Sequence, residues 1–153
     1  AQGFMPIAGY NYGAKMYERV NSVIKIALIY GFIIASFIGV ILMVSSDFIP
    51  YIFTKDTKLI KHAPNAIFWI FSATPVIIFH LIAPSYYQAI GKAIPALLLT
   101  LTKQGLFLIP FVLILPIYFG IEGVWYSFPI SDIISAGICF YFLRKSTSKL
   151  TLN

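Results

Sequence analysis

Residues 24–44 read IKIALIYGFIIASFIGVILMV, with Lys25 as the one charge in the run. A hydrocarbon core of about 30 Å takes roughly 20 apolar helical residues to cross. This stretch is long enough, and three more follow it, at about 65–87, 93–118 and 123–143. Within a bilayer every backbone polar group must be satisfied inside its own segment, so such runs are helices rather than isolated strands. The expectation is an all-α, polytopic membrane helix bundle with about four transmembrane helices.

Composition points the same way. Of the 153 residues, 59% are hydrophobic and 10% charged, where soluble domains run to roughly 45–50% and about 25%. The mean hydropathy is +0.88. A core of this size cannot hide that much apolar surface, whereas lipid can. The net charge of +6 comes from Lys and Arg scattered among apolar runs, with no dense basic stripe, so a nucleic-acid partner is not expected. The single cysteine, Cys139, lies inside an apolar run, which excludes a disulfide framework or a Cys-based metal site. The opening AQGFMPIAGYNYGAK has neither the basic start nor the apolar region of a signal peptide, and is read as an internal stretch of a longer protein.

The connections hold the polar residues: SSDFIPYIFTKDTKLIKH at 45–62, with room for an interfacial helix, QAIGKAIP at 88–95 and FGIEG at 119–123. Four spans put both ends of the chain on one side. That side carries Lys15, Arg19, Lys25, Lys92, Arg144, Lys145 and Lys149, and the other carries Lys55, Lys58 and Lys61. The excess places both ends in the cytoplasm. Tyr86, Tyr87, Tyr118, Trp125 and Tyr141 fall near span ends, as an aromatic belt would.

Lys103 and Gln104 in the third span and Asp132 in the fourth are each flanked by apolar residues. A charge at such depth costs several kcal/mol unless it is paired or hydrated. Lys103 lies roughly 15 Å from the inner start of its helix and Asp132 roughly 14 Å from the outer start of the next. Those depths coincide in the membrane, so the two meet if both face the bundle interior. Two readings stay open: a structural ion pair lining the bundle, or an acid that exchanges Lys103 for a proton or Na⁺. His80 in the second span reads first as a packed or water-facing histidine, with a proton relay as the alternative, and Glu122 as a solvated residue at the outer mouth. Pro75, Pro84, Pro110, Pro116 and Pro129 all fall within spans, where kinks suit a cavity-lining transporter better than a passive anchor. Phosphate loops, HExxH, CxxC and nucleophile elbows are all absent from the sequence, and an enzyme is not expected.

Several strings carry a family resemblance. QGFMPIAGYNYGAK (2–15) resembles the segment Q-G-x-x-P-x-x-G-x-N-x-G-A of the multidrug and toxin extrusion (MATE) family, which ends one helix and leads into the next. YYQAIGKA (86–93) resembles a later loop of that family. KQGLFLIPFVLILP (103–116) with GIEGVWYSFPISD (120–132) resembles its last two helices. The resemblance implies the end of helix eight and helices nine to twelve of a twelve-helix protein, hence part of its C-terminal lobe. The rest of the transporter chain, with the N-terminal lobe and helices seven and eight, would be its partner. Residues 2–15 would form a cytoplasmic turn.

The implied activity is export of cationic or amphiphilic drugs across the cell membrane by antiport with H⁺ or Na⁺, without a cofactor. Small-molecule drugs and membrane lipid are the expected partners. Gln2, Gly3, Pro6, Gly9, Asn11, Gly13 and Ala14 match the first motif as turn determinants. Lys103 stands where relatives carry Arg or Lys, and Asp132 matches the closing acid of P-x-x-D. The second span holds no acidic residue, so a Na⁺ site wholly inside this chain is not expected. Competing readings are a lipid-linked oligosaccharide flippase of the related superfamily, and a non-transporting membrane scaffold.

Overall fold

In the computed structural model the backbone is described for residues 2–150 and the side chains for residues 2–148. Ala1 and the side chain of Lys149, which entered the charge count, lie outside the described residues. The elements are α1 (Phe4–Gly13), α2 (Tyr17–Val44), α3 (Ile49–Phe53), α4 (Thr57–Ser72), α5 (Ile77–Ala89), α6 (Ala93–Leu101), α7 (Ile109–Phe119) and α8 (Ile121–Leu150). A 3₁₀ turn at Thr74–Val76 joins α4 to α5, and a π-helical segment at Thr102–Leu108 joins α6 to α7. Among the described residues the fold is all helical.

Four continuous stretches are long and apolar enough to cross a membrane: Tyr17–Val44, Thr57–Ala89, Ala93–Phe119 and Ile121–Ser148. The second starts a full two turns before the residue 65 expected from hydropathy. Asp56 caps it, accepting the Lys58 N–H at 2.8 Å, so the polar run TKLIKH is helical although it carries no apolar signal. The short helix α3 sits in the connection where an interfacial helix was anticipated.

Proline sets the irregularities. Pro75 has no N–H for the Phe71 carbonyl four residues back. The Thr74 hydroxyl takes that carbonyl at 2.6 Å, and the chain tightens into the 3₁₀ turn. In the third span the Ile109 N–H reaches back five residues to the Gln104 carbonyl, one residue before Pro110. Pro110 cannot supply an α-helical bond to Leu106, and the wider π turn accommodates it.

Helix α8 is the hub: it packs against α7, α5, α4 and the π segment, while α5 also packs against α6 and α1. The α7–α8 hairpin turns on Gly120, whose φ of 59° is open to glycine at no steric cost. Three residues later, a Cβ on Gly123 would fall 2.5 Å from the Leu115 carbonyl carbon, so the two backbones meet there as only glycine permits. The buried core is built from Phe4, Ala8, Val20, Ile24, Ile82, Tyr86, Leu99, Cys139 and Leu143 among others.

Two expectations are corrected. Residues 2–15 are not a turn: Phe4–Gly13 is helical and buries Phe4, Ala8 and Asn11, and the turn proper is Ala14–Met16, with Lys15 at φ 58°. Tyr86 and Tyr87 are not belt residues. Both are buried, and their hydroxyls bond to α8, Tyr86 with Ser146 Oγ at 3.1 Å and Tyr87 donating to the Phe142 carbonyl at 2.9 Å. Tyr118 and Tyr141 are exposed, as belt residues are.

Candidate functional site

Every fourth residue of α8 from Gly123 is small or polar: Gly123, Ser127, Ser131, Ser135 and Cys139 form one buried column. Each serine in it bonds back into its own helix. Ser127 Oγ donates to the Gly123 carbonyl at 2.7 Å, Ser131 Oγ to the Ser127 carbonyl at 2.6 Å, and Ser135 Oγ to the Ser131 carbonyl. The hydroxyl hydrogens are thereby used within α8, and the three serines offer neighbouring helices only oxygen lone pairs.

Asp132 stands beside this column. Its Oδ1 lies 2.7 Å from Lys103 Nζ, with the carboxylate side chain 7% exposed and the lysine side chain 23% exposed. Among the described residues the Lys103 ammonium is the one partner of that buried oxygen. The π turn carries Lys103 and packs against α8. Lys103 and Asp132, which their positions in sequence place at matching depth, are thus in contact.

His80 on α5 joins them, which the sequence reading did not foresee. Its Nε2 lies 3.2 Å from the Asp132 carbonyl oxygen and 3.2 Å from Ser135 Oγ, and its Nδ1 lies 3.7 Å from Cys139 Sγ. Since Ser135 has already given its hydrogen to Ser131, Nε2 must be the donor toward both oxygens. Nδ1 then accepts from the Cys139 thiol in the neutral ring. A signal was available: His80 and the Ser127, Ser131, Ser135 spacing both lie inside spans, yet neither says which helix faces which.

The remaining sequence candidates are dispersed. Gln104 is exposed and makes no side-chain hydrogen bond among the described residues. Gln2, Gly3, Pro6 and Gly13 are exposed on or beside α1. Asn11 is buried, its Nδ2 donating to the Ile7 carbonyl at 2.8 Å while its own backbone carbonyl accepts the Met16 N–H at 2.9 Å, so it closes the turn into α2. A Cβ on Gly9 would lie 3.1 Å from the Ala89 carbonyl oxygen, where α1 meets the end of α5. Ala14 is the C-cap of α1. Glu122 is exposed and accepts from the Tyr126 hydroxyl at 3.1 Å.

An all-α polytopic membrane bundle with a charge pair between two of its helices is the class that fold and site define. The family model MatE matches residues 1–114, and the chain belongs to the MatE family. No curated protein matches it. Among solved structures it is similar to a multidrug resistance MATE family transporter of the MOP superfamily in an outward-facing conformation, at 21% identity and a TM-score of 0.92, covering 98% of this chain and 34% of that one. The MATE multidrug transporter DinF-BH, solved as a complex, is 38% identical with a TM-score of 0.86, covering 94% of this chain and 32% of that one. A MOP superfamily transporter from Pyrococcus furiosus is 21% identical with a TM-score of 0.90, covering 97% and 34%. The chain therefore spans about a third of the length of the structures it matches.

Proposed function

We propose that this chain is part of the C-terminal lobe of a secondary active transporter that exports cationic or amphiphilic drugs by antiport with H⁺ or Na⁺. The chain lies in the cell membrane with both ends cytoplasmic and completes its cavity with the rest of the transporter. The observation that carries the reading is the Lys103–Asp132 pair, a carboxylate held inside the bundle by a single ammonium. An acid so placed has one ligand to exchange. A proton or Na⁺ arriving through a hydrated cavity replaces Lys103, and the lysine is released toward the cavity. His80 holds the Asp132 backbone through Nε2 and fixes the carboxylate's position relative to α5.

The oligosaccharide flippase reading needs cationic side chains to meet a pyrophosphate. Lys103, the one lysine deep in the spans, is already neutralised by Asp132, which favours the antiporter. The likeness to an inward-facing relative, with a TM-score of 0.92, equals that to the outward-facing one. That equality supports these helices moving as one body in the transport cycle.

The test is ethidium efflux from cells expressing the full-length transporter, wild type against Asp132→Asn at equal membrane abundance, under imposed H⁺ and Na⁺ gradients. Loss of gradient-driven efflux with retained abundance is expected. Unchanged efflux assigns the pair a structural role, and absence of efflux from the wild type moves the reading to the flippase.

A further inference from the structure

Near the start of α2 and the end of α8, residues of these two helices line a groove of about 310 Å³. Its polar lining includes Lys25, Arg144 and Thr147, and its apolar lining includes Leu28 and the exposed Phe140, with the core residues Ile24 and Leu143 beneath. The two cations sit at the edges of apolar runs: the α2 run resumes at Ile26 and the α8 run ends at Leu143. They thus mark the boundary between hydrocarbon and water on adjacent helices. No acidic residue lines the groove, and among the described residues neither Lys25 nor Arg144 is in an ion pair.

We propose that this groove binds an anionic phospholipid, its phosphate between Lys25 and Arg144 and an acyl chain along Leu28 and Phe140. Basic pockets between membrane helices at the leaflet surface suit lipid headgroups of this charge. Charge complementarity selects the occupant. A cationic drug is repelled by the two side chains, and a free phosphate leaves the apolar part of the groove uncovered. A further helix of the transporter would have to bring its own acid to this spot. The long stems of Lys25 and Arg144 can follow the headgroup while staying against apolar surface.

The experiment titrates the delipidated full-length transporter with phosphatidylglycerol, phosphatidylcholine or inorganic phosphate and reads bound lipid by native mass spectrometry. The wild type is expected to prefer phosphatidylglycerol, and the Lys25→Gln/Arg144→Gln variant to bind it about thirtyfold more weakly, at about a factor of five per charge. Phosphatidylcholine binding stays unchanged, and Lys25→Arg/Arg144→Lys retains the preference, which separates loss of charge from loss of fold. Equal phosphatidylglycerol binding by wild type and the glutamine variant overturns the proposal. So does displacement of the lipid by equimolar inorganic phosphate, which would make this a free-anion site. A Thr147→Cys thiol that a lipid-soluble maleimide fails to label after delipidation also overturns it, since protein then fills the groove.

Discussion

Helices α2 and α8 have membrane stretches of the same length, 28 residues, and opposite constructions. The apolar stretch of α2 has a mean hydropathy of 2.6 and is 6% buried; that of α8 has 1.3 and is 44% buried. In a soluble protein the more apolar helix would be the inner one. Here lipid is the apolar solvent, so α2 keeps Ile29, Ile33, Phe37 and Val40 outward, and α8 turns Ser127, Ser131, Ser135 and Asp132 inward. Without a hydrophobic drive between helices, α8 is held by close backbone approach and polar contact. Its burial therefore depends on small residues, whereas α2 needs only to stay greasy.

That contrast is broken first at the charge pair. Lys103→Met or Asp132→Asn alone leaves a buried charge or donor without its partner, and a loss of about 3–5 kcal/mol is expected in denaturant unfolding of the purified full-length protein. The double variant recovers most of it. Additive losses in the double variant would mean that the two side chains are not energetically coupled.

Next comes Gly123→Ala, where the new methyl meets the Leu115 and Pro116 backbone at 2.5–2.7 Å. Overpacking of this kind costs about 1–3 kcal/mol. Gly137→Ala on the same helix meets nothing within 4 Å, and should stabilise slightly through lower chain entropy. Equal melting temperatures for the two variants would contradict the close α7–α8 contact. Ser131→Ala removes a hydroxyl that bonds only within α8, and a change below about 1 kcal/mol is expected in the same assay. Smallest of all is Ile33→Ala on α2, which is 57% exposed and should shift stability by at most about 0.5 kcal/mol. A larger effect would show that α2 is covered by other parts of the protein at that position.

The sequence carried most of the architecture because hydropathy reports on the solvent, and for α2 the solvent is the whole story. It also carried the Lys103–Asp132 contact, since a fixed rise per residue converts position into depth. What it lacked was rotation. Depth leaves undecided which way a helix faces, so His80 was read apart from the acid whose backbone it holds, and Tyr86 and Tyr87 were placed at the membrane surface instead of against α8. The extent of the helix at Phe4–Gly13 was obscured for another reason: the resemblance implies a helix end there, but Gly3, Pro6, Gly9 and Gly13 read as turn punctuation, whereas Gly9 is there for proximity to Ala89.

The π turn at Thr102–Leu108 bears on how the third span can be drawn at all. One surplus residue in a helix advances the angular phase of everything beyond it by about 100°. A helical wheel fitted to Ala93–Leu101 therefore points the wrong way when extended to Ile109–Phe119. Two half-wheels, offset by one position, are needed to say which side chains of this span look toward α8, and an accessibility scan along it should show its periodicity slip once between 102 and 108.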